Sequence, residues 1–150
     1  MLICMDVEFP EAVRALALSG LDLLVIPSCL PLGPMSVLLP AAMLPTRAQE
    51  NHVFVAYANV KGQLRPLHGD PDPAAGGLEY VGNGCSGFYA PDGSCLDATR
   101  VPSQTVADVD LLLLPTADPA AYAWAEARNP YLKLRRPELY SAQPQLPFDA

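Results

Sequence analysis

The sequence predicts an α/β fold, and two observations carry this prediction. Residues 21–27 and residues 53–59 are short, almost continuously apolar runs, which is typical of buried parallel strands. Segments with helical start and stop signals precede both runs. The chain has 150 residues, of which 51% are hydrophobic and 17% are charged, so it is long and apolar enough to bury a core as a single domain.

The first strand and the first helix are predicted at the very start of the chain. Residues 2–4 are expected to be the end of a buried strand. Pro10 suits the first turn of a helix, Glu11 favours the positive end of that helix, and Gly20 supplies its stop. The thiol of Cys4 therefore falls on a strand-to-helix turn at the carboxyl edge of the sheet, where α/β folds bind ligands.

A second helix is predicted over residues 38–51, between the two apolar strands. Pro40 and Pro45 fall within it. Because proline removes a backbone donor and restricts the residue before it, we expect this helix either to kink or to start late. After the second strand, residues 62–77 are rich in Gly, Pro and Asp and predict a long loop.

The remaining predicted elements are shorter. Residues 82–89 and 94–98 predict two strands, joined by the Pro-Asp-Gly turn at residues 91–93. Residues 105–114 are expected to close the sheet. Residues 118–128 predict a helix with Asp-Pro as its cap and first turn.

The composition argues against several classes of function. The formal net charge is −7 and no basic stripe runs along the sequence, so we expect no nucleic-acid partner. Prolines or charges interrupt every apolar run before it reaches the length of a membrane span. The four cysteines show neither Cys-x-x-Cys spacing nor a disulfide framework, so we expect a cytoplasmic protein. No metal site is expected, because His52 and His68 lack supporting ligand spacing.

Five segments resemble motifs of one enzyme family. Residues 4–11 (Cys-Met-Asp-Val-Glu-Phe-Pro-Glu) resemble the nucleophile segment of the nitrilase, or carbon–nitrogen hydrolase, superfamily, usually written C-Y-D-x-x-F-P-E. Four further segments follow in the family's order: residues 47–51 resemble its R-A-x-E-N helix, 59–62 its N-x-x-G strand exit, 84–93 its G-x-S…P-x-G hairpin, and 135–140 the segment that closes its domain. Each motif alone is weak, but their order along the chain is specific.

The resemblance implies a fold and a mechanism. The fold would be part of an α-β-β-α sandwich, a mixed sheet with helices on one face. The activity would be hydrolysis of a non-peptide C–N bond in a small aliphatic amide, carbamoyl or nitrile substrate, through a thioester on cysteine and without a cofactor. Carried over by position, Cys4 takes the nucleophile role and the backbone N–H of Met5 takes part of the oxyanion role. Met5 replaces the family's frequent Tyr or Trp, but a backbone donor does not depend on the side chain.

Two catalytic groups of the family have no counterpart in the sequence. The family pairs its cysteine with a glutamate base and a lysine that both precede it, whereas only three residues precede Cys4. Lys61 and Lys133, the only lysines, stand in segments that match noncatalytic parts of the family. We therefore expect residues 1–150 to be the C-terminal portion of a single carbon–nitrogen hydrolase domain, from a truncated gene or a fragmentary gene model, and to be inactive alone. The sheet face that the missing half would cover is expected to be exposed.

The residue four positions after the cysteine is a clue to the substrate. Family members that take carboxylate-bearing carbamoyl substrates often have a basic residue there, and this chain has Glu8. A carboxylate repels anions, so a neutral or amine-bearing amide is predicted. An ion pair between Glu8 and a nearby arginine such as Arg14 is the alternative. Ser28 and Cys29 follow the first apolar strand in a loop that lines the family's pocket, and for Cys29 a place in the pocket wall and a place in the core both remain open.

Other roles remain open. Without the resemblance, Cys4 would be interpreted as a small buried hydrophobe. Glu50 is expected to form a helix-end salt bridge with Arg47 rather than to act as a base. Cys85 and Cys95 flank a predicted hairpin and could face each other.

The alternative function is noncatalytic: an interaction partner that forms homo-oligomers or associates with a full-length relative, since family enzymes are commonly oligomers. A thiol-reactive or redox protein is a third class.

Overall fold

The computed structural model describes residues 1–30, 34–64, 80–98 and 114–140. Within them the helices are α1 (Pro10–Leu18), α2 (Pro34–Leu38), α3 (Leu44–Asn51), α4 (Ala120–Arg128) and α5 (Pro137–Tyr140), with a 3-10 helix at Cys4–Glu8 and a π-helical segment at Leu39–Met43. The strands are β1 (Leu23–Ser28), β2 (Phe54–Asn59), β3 (Lys61–Leu64), β4 (Tyr80–Asn83), β5 (Gly87–Tyr89) and β6 (Cys95–Ala98).

The described strands form two sheets. The larger has the order β1-β2-β5-β6, in which β1 and β2 run parallel and the other neighbours run antiparallel. The pairing of β1 with β2 runs from Leu23 opposite Phe54 to Ser28 opposite Asn59, so both strands end at the same edge. The smaller sheet pairs β3 with β4 antiparallel. The mixed sheet and its helices confirm the predicted α/β class.

Helices cover one face of the larger sheet. Leu24 and Ile26 of β1 are fully buried, whereas the residues that alternate with them along the strand are exposed. These two side chains belong to one apolar cluster with Val13 of α1 and with Leu44 and Ala48 of α3. A strand that buries every second residue has one face on the core and one face free, so α1 and α3 form a single helical layer.

The opposite face of the sheet is exposed, as expected. Leu23 and Val25 are each 41% exposed, and Pro27 and Ala58 on the same side are also exposed. Among the described residues, nothing packs on this part of the face. It is the surface that a second sheet covers in a four-layer sandwich.

Residues 2–4 do not form the predicted strand. Leu2 donates one backbone hydrogen bond to the carbonyl of Val25 (3.2 Å), after which the chain turns and Cys4 begins the 3-10 helix. One backbone bond is too few to define a ladder. The prediction of a central, continuously buried β1 is also wrong for the described part of the chain, where β1 is an edge strand with alternate residues exposed.

The helical segment between β1 and β2 starts earlier than predicted. The chain is helical from Pro34 to Asn51, and the kink expected at Pro40 takes the form of the π-helical segment. Proline cannot donate to the preceding turn, and a wider π turn accommodates the missing bond. The Tyr89 hydroxyl donates to the carbonyl of Pro40 at 2.8 Å, which fixes this segment against β5.

The predicted strand over residues 82–89 is two strands in different sheets. Gly84 and Cys85 both have left-handed backbone, with φ values of 72° and 54°, so the chain turns between β4 and β5. The next turn is confirmed, since Gly93 has a φ of 84° and donates to the carbonyl of Ala90 at 2.8 Å before β6 begins.

The remaining predictions have mixed outcomes. Lys61–Leu64 forms β3 where the long loop was predicted to begin, and residues 65–77 of that loop lie outside the described residues. The predicted strand at 105–114 also lies outside them, apart from Leu114, which is exposed and has no regular structure. The helix after residue 118 is confirmed, and Asp118 Oδ1 caps it by accepting the Ala120 N–H at 2.9 Å. No helix within the described ranges is long and apolar enough to cross a bilayer.

Candidate active site

Cys4 occupies a tight turn between the start of the chain and α1. Its φ is 49°, a left-handed conformation that costs a non-glycine residue on the order of 1 kcal/mol. Two bonds hold the turn: the Ile3 N–H donates to Asp6 Oδ2 at 2.9 Å, and the Asp6 N–H donates to the Ile3 carbonyl at 3.0 Å. The Cys4 side chain is half-buried and carries a free thiol. A sharp turn of this kind can present a nucleophile to a ligand.

The Ser28 hydroxyl donates a hydrogen bond to Cys4 Sγ at 3.3 Å. Ser28 is the last residue of β1, is only 8% exposed, and lies opposite Asn59 at the end of β2. The structure therefore brings Cys4 and Ser28 together where two parallel strands end, which is the edge at which open α/β sheets bind ligands.

A third side chain, Tyr57 of β2, reaches the same region. It is only 3% exposed, and its hydroxyl has no hydrogen-bond partner among the described residues. Burial raises the pKa of Tyr57. The Ser28 hydroxyl opposes this rise, whereas Cys4, Cys85 and Glu8 reinforce it, so all four groups are close enough to act on the phenol. The sequence analysis missed Tyr57, because a tyrosine in an apolar strand is ordinarily a core residue.

Arg47 of α3 fixes the backbone that follows Cys4. Its Nε donates to the carbonyl of Val7 at 3.0 Å and its Nη2 to the carbonyl of Glu8 at 2.9 Å. Its Nη1 donates to Glu50 Oε1 at 3.1 Å, which confirms the predicted pair at the end of this helix. Arg14 also binds Glu50, donating to its carbonyl at 2.6 Å and approaching its carboxylate at 3.8 Å. The alternative in which Arg14 pairs with Glu8 is therefore wrong.

Glu8 and Met5 lie in the 3-10 helix that begins at Cys4. The Glu8 side chain is half-buried, and its carboxylate forms no ion pair within the described part of the chain. The Met5 side chain is 60% exposed, so only its backbone is placed beside the thiol. Cys4, Met5 and Glu8 thus share one short element.

Asn59 organises the loop after β1. Its Oδ1 accepts the Leu30 N–H at 2.8 Å, and its own N–H donates to the Ser86 hydroxyl at 3.0 Å. Cys29, between Ser28 and Leu30, is a half-buried free thiol. The N-x-x-G and G-x-S segments thereby contact each other at the sheet edge that carries Ser28.

The other cysteines and the histidines do not form a second centre. Cys85 is half-buried, and burial raises the pKa of its thiol. Cys95 is exposed and lies opposite Tyr89, at the far end of β5 from Cys85, so these two cysteines do not face each other. His52 Nε2 lies 2.7 Å from the carbonyl of Asn129, and no cluster of three metal-ligating side chains occurs among the described residues. His68 lies outside them.

A cavity of about 230 Å³ lies away from Cys4. It sits between the end of α3, the turn after β5 and helix α4, and its walls include Gln49, His52, Asp92, Trp124 and Arg128. None of the residues around the thiol lines it. We therefore assign the candidate active site to the region of Cys4 rather than to this cavity, because the polar groups that could act on a substrate lie around the thiol.

Comparison with known proteins decides the family. The sequence profile described as carbon-nitrogen hydrolase matches residues 1–114. This chain belongs to the carbon-nitrogen hydrolase family. The family resemblance inferred from the ordered motifs is thereby confirmed.

Relatives of this carbon-nitrogen hydrolase chain support the same assignment. A protein of Pseudomonas protegens named "Hydrolase in pqqF 5'region" is 35% identical over 139 residues, which are 93% of this chain and 41% of that protein. An amidase from Nesterenkonia sp. is 33% identical, with a TM-score of 0.59, over 93% of this chain and 41% of its own. The chain thus spans less than half the length of these relatives.

A more distant structure shows the fold. The carbon-nitrogen hydrolase from Helicobacter pylori G27 superposes with a TM-score of 0.75 at 20% identity, over 93% of this chain and 47% of its own. At that identity the likeness concerns the architecture alone. The predicted partial nitrilase-like sandwich is confirmed for this carbon-nitrogen hydrolase chain.

Proposed function

We propose that this chain carries the nucleophile of a hydrolase that cleaves non-peptide C–N bonds in small aliphatic amides, carbamoyl compounds or nitriles. One observation carries the proposal: the Cys4 thiol sits on a strained turn at the sheet edge and accepts a hydrogen bond from Ser28. A half-buried thiol held by a polar partner at a ligand-binding edge is the arrangement expected of a nucleophile rather than of a core cysteine.

For an amide, the proposed reaction has two stages. The Cys4 sulfur attacks the carbonyl carbon, an S–C bond forms, and the C–N bond breaks as the amine leaves with a proton. Water then attacks the thioester, which releases the carboxylic acid and restores the thiol. In this proposal the Met5 N–H donates to the oxyanion that forms in each stage, and no cofactor takes part.

Structures of a relative show covalent additions at its active-site cysteine. In a glutamate-to-glutamine variant of the Nesterenkonia amidase, the acetamide moiety of fluoroacetamide is covalently added to the active-site cysteine. The same substitution is also seen with a Michael addition of acrylamide at that cysteine. We transfer from these structures only the proposal that Cys4 accepts small amide electrophiles.

The helper groups of the family are proposed to lie outside the 150 residues. Lys61 is exposed on β3, and Lys133 is exposed and bound to Glu126 at 2.7 Å. Neither lysine is among the groups that shift the pKa of Tyr57. We infer that residues 1–150 are one portion of a single carbon–nitrogen hydrolase domain and that the isolated chain does not turn over substrate.

Glu8 and Cys29 are proposed to help select the substrate. The half-buried carboxylate of Glu8 has no counterion among the described residues, so it would disfavour an anionic substrate next to Cys4. Cys29 follows Ser28 in the loop that Asn59 holds and is half-buried, which supports a place in the pocket wall. A cytoplasmic location agrees with four free thiols.

A noncatalytic, assembling role has one observation in its favour, the exposed sheet face. Leu23 and Val25 are each 41% exposed there, and a soluble domain rarely leaves such a face uncovered. Size-exclusion chromatography with light scattering tests this second candidate. Oligomers that become monomers in a Val25→Lys variant support it, and a well-folded wild-type monomer contradicts it.

Alkylation of the chain tests the main proposal. The purified 150-residue protein is treated with iodoacetamide, and the labelled cysteines are mapped by peptide mass spectrometry over time. Cys95 is the matched control within the chain, because it is exposed whereas Cys4 is half-buried. We expect Cys4 to react first, although exposure alone predicts Cys95. Labelling of Cys95 well before Cys4 overturns the proposal.

A further inference from the structure

Two buried hydroxyls on neighbouring strands lie in the region of Cys4. Ser28 ends β1 and is 8% exposed, and Tyr57 lies in β2 and is 3% exposed. The strands β1 and β2 are parallel, and Tyr57 lies opposite Ile26, two residues before Ser28. The side chains of Tyr57 and Ser28 therefore leave the sheet on the same side, near the same edge. Ser28 donates to Cys4, whereas the Tyr57 hydroxyl, although Ser28 is close enough to act on its pKa, has no hydrogen-bond partner among the described residues.

Ser28 already donates to the sulfur, at 3.3 Å. A neutral thiol is a weak acceptor, whereas a thiolate is a strong one, so the same contact gains strength when Cys4 loses its proton.

The Tyr57 hydroxyl is a hydrogen-bond donor that no described residue accepts from. This hydroxyl is buried without a partner among the described residues, which is costly and rare in folded proteins. Burial raises its pKa, and the neighbouring Cys4, Cys85 and Glu8 act in the same direction, so the phenol keeps its proton in the neutral range. A protonated phenol in the region of a sulfur that becomes charged is available as a hydrogen-bond donor.

We propose that Ser28 and Tyr57 are positioning residues, which together form a two-donor cradle for the Cys4 thiolate. Ser28 holds the sulfur in the resting thiol, and Tyr57 adds its hydrogen bond when the thiolate forms. The inference rests on the proposed function, because it matters only if Cys4 is the nucleophile. It adds two residues, from β1 and β2, to a role that the family resemblance gives to groups preceding the cysteine.

The charges around Cys4 explain why neutral donors are needed. Asp6 and Glu8 lie on the same short helix as the thiol, and their carboxylates oppose a further negative charge on the Cys4 sulfur. Arg47 reaches this helix from α3, but its Nε and Nη2 are engaged by backbone carbonyls. Cys85, in the turn before β5, has its pKa raised by burial and so faces the region as a neutral thiol. Hydroxyl donors stabilise a thiolate there without adding charge.

The pH profile of Cys4 alkylation tests the cradle. Rates with iodoacetamide are measured for wild type, Ser28→Ala and Tyr57→Phe in the 150-residue chain, with Cys4 quantified by mass spectrometry. Each variant is expected to shift the midpoint of the profile upward by about half to one pH unit, the effect of one hydrogen bond to a charged acceptor. Ser28→Thr keeps the hydroxyl and is expected to restore the wild-type midpoint.

Tyr89→Phe is the matched control. It removes the hydroxyl of another buried tyrosine, which donates to the Pro40 carbonyl rather than to Cys4. This variant is expected to unfold more easily but to keep the wild-type midpoint, which separates a positioning role from a loss of stability. Circular dichroism verifies that each variant is folded at the temperature of labelling.

The outcomes distinguish the two proposals. If wild-type Cys4 reacts first but Ser28→Ala and Tyr57→Phe both keep its midpoint, the cradle is wrong and the proposed nucleophile stands. If Cys95 reacts before Cys4 in the wild type, the proposed nucleophile itself fails. A shift in both variants that Ser28→Thr reverses supports the cradle.

Discussion

The guanidinium of Arg47 donates through Nε to the backbone carbonyl of Val7 at 3.0 Å. Val7 is fully buried and follows Cys4 by three residues, while Arg47 lies on α3, on the other side of β1 in the sequence. A second bond runs from Nη2 to the Glu8 carbonyl at 2.9 Å, so the planar guanidinium donates to two successive backbone carbonyls. Arg47 therefore ties the nucleophile turn to the helical layer.

Replacement of Arg47 by Ala should lower the free energy of unfolding by about 3 kcal/mol. The substitution leaves the carbonyls of Val7 and Glu8 without their donor, and it removes one of the two arginines that bind Glu50. Arg47→Lys should be intermediate, because an ammonium cannot reproduce the planar fork. Urea unfolding followed by circular dichroism measures both.

Arg128→Ala is the control for this prediction. Arg128 is exposed and stacks over the ring of Trp124 at 4.7 Å, so its loss should change stability by about 0.5 kcal/mol. Under conditions where Arg47→Ala remains folded, Cys4 should also lose its preferential alkylation, because its turn is no longer held. Equal stability of the Arg47 and Arg128 variants would contradict the proposed anchor.

The carboxylate of Glu8 should discriminate by charge among reagents that reach Cys4. We expect Glu8→Gln to increase the rate of Cys4 alkylation by iodoacetate about threefold and to leave the rate with neutral iodoacetamide nearly unchanged, because only iodoacetate is repelled. Glu11→Gln removes a nearby but exposed carboxylate of α1 and serves as the control. An equal gain for both reagents, or an equal effect of Glu11→Gln, would remove the electrostatic argument.

The same charge predicts the preference of a full-length enzyme that contains this segment. Neutral or amine-bearing aliphatic amides should be hydrolysed with a higher kcat/KM than N-carbamoyl amino acids, because the carboxylate of the latter approaches Glu8. The kinetic comparison uses one enzyme and matched pairs of substrates. Comparable values for the two classes would show that Glu8 does not face the substrate.

The sequence was sufficient to predict some parts of the site and not others, for physical reasons. Cys4 and Ser28 each follow an apolar run, which placed both at the edge of the sheet, although residues 2–4 do not form a strand. Tyr57 was missed because the direction of its hydroxyl depends on the register between β1 and β2, which a continuous apolar pattern does not determine. The left-handed Cys85 was missed because only glycine signals such a turn in sequence.

The fold shows a similar division. The helix start at Pro10 and the cap at Asp118 depend on neighbouring residues, and both were predicted correctly. The position of β1 in its sheet depends on which segments lie beside it, so its edge location was not readable from its own composition. The π-helical segment was anticipated only as a kink, because Pro40 removes a bond without specifying how the helix adapts.

Folded stability should fall on the alkaline side of neutrality. The pKa values of Tyr57 and Cys85 are raised above their ordinary values of 10.0 and 9.0, mainly by burial, so the folded state holds these protons more tightly than the unfolded state. The contribution of such a group is complete below its ordinary pKa and is lost as pH rises through the folded value. The free energy of unfolding should therefore decline above about pH 9.

Tyr57→Phe tests the source of this alkaline decline. The variant removes one of the groups whose pKa is raised by burial, so its free energy of unfolding should fall less steeply between about pH 9 and pH 11 than that of the wild type. Tyr131→Phe is the control, because Tyr131 is 40% exposed. Identical slopes for wild type and Tyr57→Phe would show that this phenol does not contribute.

The 150-residue chain should bind electrophiles at Cys4 and yet fail to hydrolyse amides. Alkylation by a reactive haloacetamide needs only the sulfur, whereas turnover also needs a proton for the leaving amine and a group that activates water for the thioester. Within the described residues the hydrogen-bond donor shown at Cys4 is the Ser28 hydroxyl, and both described lysines are exposed elsewhere. Loss of members of one catalytic unit typically reduces kcat by several orders of magnitude.

Ammonia release from acetamide or propionamide measures this prediction, with Cys4→Ala as the control. The wild-type chain and the variant should give the same background rate, although only the wild type is labelled at residue 4. Hydrolysis above background that disappears in Cys4→Ala would contradict it, because it would show that residues 1–150 supply every group that the reaction needs. A slow reaction restored by added imidazole or alkylamine would instead identify the missing function as a general acid or base.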